Sequence, residues 1–316
     1  MLSYFQAAVI GLVQGVTELF PISSLGHSVL VPALIGGNWK ALVTQSATGD
    51  SASSPYLAFI VALHVGTAIA LLIFFRRDWA RILTALARSL GPSVRARRLV
   101  AENADARLAW LLVIATIPVG VTGLVLEHTF RTLFAKPVAA AAFLTVNGVI
   151  LLAGEALRRR AADLPEEQPD GPALSSGAAR TAVRRTSRQL TTLSYREGFV
   201  IGFFQTFALL AGISRSGISM VGGLARGLSH RDAAHFSFLL ATPVILAAGV
   251  LKLPSLAGPA GAHIHGQILL GTVLAGLAAY VSVRWLTRWF ETRTLTPFAL
   301  YSLIAGIGCL IRFTVF

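Results

Sequence analysis

The sequence predicts an all-α, polytopic integral membrane protein built from two inverted-topology repeats, each a re-entrant helical hairpin followed by three transmembrane helices. Three observations predict it. The chain is 54% hydrophobic and 13% charged, with a mean hydropathy of +0.69, too apolar for a water-soluble globule. Its apolar runs reach the length of about 20 residues that a helix needs to cross a bilayer. The stretch VIGLVQGVTELFPISSLGHS at 9–28 returns without a gap as VIGFFQTFALLAGISRSGIS at 200–219. Gln14 answers to Gln205, Ser23 to Ser214, Gly26 to Gly217 and Ser28 to Ser219, which points to a duplication.

The first repeat is expected over 1–157. Residues 2–35 are apolar but are broken by Pro21, Ser23, Ser24 and Gly26. A straight span would put this irregular backbone and Glu18 into lipid, whereas irregular backbone lining a protein cavity is tolerated. A hairpin that turns near Pro21–Ser24 and leaves on the same side is the better reading. Residues 38–55 are expected to form an external loop. Spans are expected near 57–75, 108–127 and 137–157, with a basic cytoplasmic loop at 76–107. Residues 158–193, rich in Pro, Glu, Ser, Thr and Arg from 161 onward, read as a cytoplasmic linker. The second repeat, 194–316, is expected to hold a hairpin at 195–225 and spans near 235–253, 266–286 and 297–315. One hairpin plus three spans is an odd number of crossings, so the second repeat enters from the opposite side. The two hairpin tips can then meet between the halves.

Charge fixes the expected orientation. The net charge of +13 is carried by arginines in three places: Arg76 to Arg107, Arg158 to Arg196, and Arg284 to Arg293. The intervening loops hold little more than Lys40, Arg131, Lys136 and Lys252. This is the positive-inside pattern, and it places the Arg-rich loops in the cytoplasm. Nothing in it resembles a basic fold with interleaved stacking aromatics, so nucleic acid is not an expected partner. The N-terminus lacks the basic region of a cleaved signal peptide. The one cysteine, Cys309, admits no intrachain disulfide.

The chemistry sits in the hairpins. Glu18 is the only acid in the middle of an apolar segment. A charge there costs about 2.5–3.5 kcal/mol on insertion scales, so it should face a polar cavity or carry function. Gln14 and Glu18, four apart, share a helix face. Ser23, Ser24 and His27 follow across the turn, with His27 one helical turn beyond Ser24. A serine, a histidine and a carboxylate are the parts of an activated nucleophile or of acid–base catalysis. The matching turn carries Ser214, Arg215, Ser216 and Gly217. Arginine binds phosphate through paired hydrogen bonds, and a helix start favours an anion. If the tips meet, the site suits a phosphate ester or diphosphate whose apolar part lies in lipid.

Blander readings stand beside this one. Serines at helix breaks are often caps. Glu18 and Arg215 can be a structural ion pair. His64 reads more readily as packing than as a reactive group, and Asn147 as an interhelical hydrogen bond. Gly11-x-x-x-Gly15 and Gly198-x-x-x-Gly202 read as close-packing sites. His263 and His265 form only a weak metal candidate, and no Walker loop or zinc spacing is present.

Gln14-Gly15-x-Thr17-Glu18-x-x-Pro21-x-Ser23-Ser24-x-Gly26-His27 resembles the first signature of the bacterial undecaprenyl-diphosphatase (bacitracin-resistance) family. Gly212-x-Ser214-Arg215-Ser216-Gly217 resembles its second, and Phe236-Ser237-Phe238-Leu239-Leu240-Ala241-x-Pro243 also matches. Gln14 stands where Glu is frequent in that family, Leu25 where Thr is common, and Ala211 where Pro is usual. The resemblance implies an enzyme of the bacterial cytoplasmic membrane that removes the terminal phosphate of undecaprenyl diphosphate. It implies catalytic roles for Glu18, Ser24, His27 and Arg215. Gln14, Thr17, Ser23, Ser214, Ser216 and Gly217 would then support or bind the phosphates. It also implies a site open to the outer face and a divalent cation, Mg2+ or Ca2+, with Glu18 as its candidate ligand. The nucleophile is left open between Ser24 and water, as are homodimerisation and a transporter that uses the same site without cleavage.

Overall fold

The computed structural model describes residues 2–48, 55–134, 136–163, 188–257 and 264–315. Twelve α-helices run through them: α1 (Tyr4–Thr17), α2 (Ser24–Ile35), α3 (Gly37–Thr48), α4 (Pro55–Phe74), α5 (Arg76–Ala96), α6 (Ala104–Phe134), α7 (Pro137–Asp163), α8 (Tyr195–Gln205), α9 (Arg215–Ala225), α10 (His230–Ala257), α11 (His265–Thr292) and α12 (Thr296–Val315). Among the described residues there is no β-strand, only an isolated bridge between Arg188 and Leu228. Helices α6, α7, α10, α11 and α12 are long and apolar enough to cross a bilayer. Helix α4 is apolar and leads into α5 through a bend of 86°. The chain is an all-α, polytopic membrane protein.

The two hairpins start by the same device. Ser3 caps α1 in a reciprocal pair with Gln6, and Ser194 caps α8 in a reciprocal pair with Glu197. Both pairs satisfy backbone donors that a helix start leaves free. Helices α1 and α2 are 14 and 12 residues long, too short to span. They pack on each other across the turn at 18–23, as α8 and α9 do across 206–214. The predicted broken hairpins are therefore present at both places.

The packing partners exchange between the halves. Helix α1 lies on α11, and its counterpart α8 lies on α6; α4 lies on α10, and α7 on α12. Glycines allow the first two contacts. A Cβ on Gly11 would sit 2.6 Å from the Gly271 carbonyl oxygen, and one on Gly202 would meet the Ala115 backbone. These are the close-packing glycines that the spacing predicts. A core of large side chains, among them Phe236, Phe238, Phe290 and Leu111, fills the space between α4, α6, α10 and α11.

Two expectations are corrected. Residues 38–55, expected as an external loop, begin as helix α3, which packs on α2 and α4. The basic stretch 76–107, expected as a loop, is mostly helix α5. Its buried positions Ile82, Ala85, Ser89 and Ser93 recur at helical spacing and face the protein, and Trp110 Nε1 donates to Ser89 Oγ at 3.1 Å. Residues 49–54, most of the predicted linker (164–187) and His263 lie outside the described residues.

The Arg-rich helix ends gather at one end of the bundle. Arg107, at the start of α6, donates to the Leu193 carbonyl ahead of α8 at 2.8 Å. Arg188 pairs with Glu197. Glu155 of α7 accepts from the Leu295 amide at 2.6 Å and lies 2.6 Å from His230 at the start of α10.

Candidate active site

The site forms where the turns of the two hairpins touch. Helix α1 ends at Thr17, and Glu18 caps it in helical conformation. Pro21 cannot donate a backbone hydrogen bond and helps to stop the helix. Ser23 then takes φ 70°, a conformation that costs a non-glycine residue about 1–3 kcal/mol. Contacts from both repeats hold it there. Ser23 Oγ accepts from the Gly26 amide at 3.2 Å, capping α2, and from the Gly212 amide of the other turn at 3.1 Å. Gly212 has φ +118°, and a Cβ on it would strike the Ala140 carbonyl at 2.5 Å. A Cβ on Gly26 would lie 3.1 Å from Gly212 Cα, so the tips meet glycine against glycine.

Glu18 is the hub. Its side chain is 4% exposed. One oxygen, Oε1, is paired with the Arg215 guanidinium of the opposite repeat. The other, Oε2, accepts from Gln14 Nε2 at 2.9 Å and from the Ser24 hydroxyl. His64 Nε2 approaches the same Oε2 at 3.3 Å, while His64 Nδ1 donates to the Ile60 carbonyl at 2.8 Å. A buried carboxylate needs this many partners, because its desolvation is otherwise unmet. Gln14 Oε1 is buried without a hydrogen-bond partner among the described residues.

Arg215 opens α9, with Ser214 as the cap accepting from the Gly217 amide at 3.1 Å. Its guanidinium also donates to the Ala241 carbonyl at 3.3 Å. Ser214 and Ser216 hydroxyls lie 3.0 Å apart. Asn147 of α7 joins both turns: Nδ2 donates to the Pro21 carbonyl at 2.9 Å, and Oδ1 accepts from the Ser214 amide at 2.9 Å.

Some expected residues sit otherwise. His27 does not meet Ser24 or Glu18. Its Nδ1 donates to the Ser23 carbonyl at 2.7 Å, which leaves Nε2 as the acceptor in a neutral ring. Tyr301 of α12 donates to that nitrogen at 2.8 Å, with the two rings stacked at 5.8 Å. The reason is local: the i−4 carbonyl captures one ring nitrogen and turns the ring toward α12, while Ser24 at the first helical position turns back over the turn. Thr17, expected to bind phosphate, spends its hydroxyl on the Val13 carbonyl at 2.7 Å. Tyr301 carried no sequence signal beyond being a half-apolar aromatic in a span. His64 and Asn147 were visible as polar residues in apolar runs, without a partner to assign them.

An apolar cavity of about 660 Å³ adjoins the site between α1, α2 and α12, with Val16, Phe20, His27, Val31, Phe298 and Tyr301 in its wall. Among the described residues, no group of three or more His, Cys, Asp or Glu converges as a cation site. Glu18, the candidate cation ligand, is paired with Arg215 through Oε1. His265, the described member of the weak metal pair, starts α11.

The fold is that of a polytopic all-α membrane protein whose two hairpin turns bring a carboxylate, a serine and an arginine into one buried polar centre. The family model for bacitracin resistance protein BacA matches residues 7–308, and the chain belongs to that family. It is 58% identical to undecaprenyl-diphosphatase 2 of Frankia alni, covering 99% of both chains. It is 56% identical to undecaprenyl-diphosphatase of Mycolicibacterium paratuberculosis, covering 98% of this chain and 97% of that one. Undecaprenyl-diphosphatase 1 of Burkholderia pseudomallei is 40% identical over 95% of this chain.

Proposed function

We propose that this chain is a membrane phosphatase that hydrolyses undecaprenyl diphosphate to undecaprenyl phosphate and inorganic phosphate, recycling a cell-wall carrier lipid and conferring bacitracin resistance. One observation carries the reading: the Ser24 hydroxyl donates to Glu18, whose other oxygen is held by Arg215 from the opposite repeat. That arrangement puts a nucleophile, its base and a phosphate-binding cation within one contact of each other. The names of the relatives supply the substrate. The apolar cavity beside His27 suits an isoprenoid chain.

In this reading the terminal phosphate binds at Arg215 and the start of α9. Arg215 has five N–H donors, and Glu18 and Ala241 occupy only part of them. Glu18 takes the Ser24 proton as Ser24 Oγ attacks the terminal phosphorus. The bond from that phosphorus to the bridging oxygen breaks, and the lipid monophosphate leaves with the electron pair. Arg215 stabilises charge developing on the phosphoryl oxygens. Glu18 passes its proton to the departing lipid phosphate. Water then attacks the phosphoserine phosphorus and gives a proton to Glu18. The bond from phosphorus to Ser24 Oγ breaks with its electron pair on Oγ, and Glu18 returns the proton there as inorganic phosphate leaves. Direct attack by water, with Glu18 and His27 as the base system, is the alternative route. No step depends on a cation.

We further propose that the repeats are inverted across the cytoplasmic membrane, with the Arg-rich end inside and the site reached from the outer face. The experiment that tests the activity is phosphate release from undecaprenyl diphosphate by the detergent-purified protein. Wild type should release phosphate, and folded Glu18→Gln and Arg215→Ala should lose at least about a hundredfold. A folded Ser24→Ala that keeps its rate moves attack to water. A well-folded wild type that releases none overturns the reading. Variants that lose stability but keep their rate per folded molecule reduce Glu18 and Arg215 to a structural pair.

A further inference from the structure

Helix α5 carries three stripes. Ile82, Ala85, Ser89 and Ser93 are buried against the bundle. Leu83, Ala87, Leu90 and Val94 recur at the same helical spacing and are exposed; Val94 is 76% exposed. Arg77, Arg81, Arg88 and Arg95 form a third stripe, also exposed. At 3.6 residues per turn the stripes lie about 120° apart around the axis. A helix with its outer face in water has no reason to show the second stripe, and a helix within the hydrocarbon has none to show the third. Both occur together on a helix at the membrane–water interface. The bend between α4 and α5 gives that placement independently: α4 is apolar along its length, and α5 leaves it at 86°. If α4 crosses the bilayer, α5 lies along its surface.

We propose that α5 is an interfacial binding site for anionic phospholipid headgroups, its apolar stripe in the acyl region and its arginines on the phosphates. Charge complementarity argues for this occupant. Asp78 is the one acid in α5; it pairs with Arg81 and lies 3.5 Å from His235 of α10. Arg77, Arg88 and Arg95 have no hydrogen-bond or ion-pair partner among the described residues, so their guanidinium donors are available to phosphate oxygens. Net charge alone would bind any anion in solution. The adjacent Leu83, Leu90 and Val94 select one that comes with a bilayer. This property is separate from the hydrolysis, since no residue of α5 belongs to the catalytic site.

The test uses the full chain in bilayer nanodiscs, with a fluorophore on Leu90→Cys; the native Cys309 is buried. Phosphatidylglycerol and phosphatidylcholine, each brominated in the acyl chain, are compared as quenchers at equal mole fraction in a phosphatidylcholine background. An arginine at an anionic surface contributes about 1 kcal/mol, or roughly fivefold in local occupancy, so three give on the order of a hundredfold. The label should be quenched far more strongly by brominated phosphatidylglycerol. In Arg77→Gln/Arg88→Gln/Arg95→Gln that preference should fall to near parity, while both lipids still quench and phosphate release in phosphatidylcholine is unchanged. Equal quenching in the unsubstituted arginine background overturns the proposal. So does a label that neither lipid reaches.

Discussion

A carboxylate as buried as Glu18 stays in place because each of its oxygens has a donor, and the donors come from three elements, through Gln14, Ser24 and Arg215, with His64 Nε2 3.3 Å away. The same economy governs His27, fixed from below by the Ser23 carbonyl and from across the bundle by Tyr301. Tyr301 is therefore a positioning residue under the proposed function. Tyr301→Phe removes one hydrogen bond from a neutral ring, an interaction of about 0.5–1.5 kcal/mol, so kcat should fall by up to about tenfold. KM should hold, thermal unfolding should shift by no more than that bond contributes, and the limb of the pH–rate profile governed by His27 should move. An unchanged kcat and profile would remove His27 and Tyr301 from the chemistry. Glu18, Ser24 and Arg215 could be read from the chain because an acid, a serine pair and an arginine interrupt apolar runs at matching places in a duplicated stretch. Tyr301 and the bond network of Asn147 could not. A tyrosine in a span looks the same whether it meets lipid or a histidine 274 positions away.

At the scale of elements, the hairpins and long helices were legible because apolar run length and helix breakers are local quantities. Helix α5 was harder to see: its arginines, Gly91 and Pro92 read as a loop, and only the spacing of Ile82, Ala85, Ser89 and Ser93 betrays the face it buries. The glycine spacings were legible, and the structure supplies their partners. Gly202 packs against the backbone of Ala115, where there is no flexible side chain to yield. Gly202→Val should therefore force α8 from α6 and cost about 1–3 kcal/mol or more. Gly123→Val, also in a helix but with nothing within 4 Å of the added Cβ, should be close to neutral. Thermal unfolding of the two variants in detergent measures the difference. Equal melting temperatures would mean that the α6–α8 contact is looser than described.

For the whole molecule, two of the polar ties between the halves differ in chemistry. One is the meeting of the hairpin turns, where every polar group lies near the proposed phosphate site. The other is at the Arg-rich end, where Glu155 of the first half binds His230 and the Leu295 amide of the second. The duplication made the first tie legible, because both turns carry the repeated motif. It could not reveal the second, since Glu155 lies outside the repeated stretch and its partners are 75 and 140 positions away. Glu155→Leu separates the two roles. It leaves a buried imidazole and a buried amide without their acceptor, a loss of about 1–3 kcal/mol for each group left unsatisfied. The melting temperature in detergent should drop by several degrees or more. Phosphate release per folded molecule, assayed well below that temperature, should stay within about twofold of wild type, because no group of the Glu18–Ser24–Arg215 centre contacts Glu155. A rate that falls with intact folding would instead mean that the two ends are coupled, as a protein that moves its halves against each other during turnover would require.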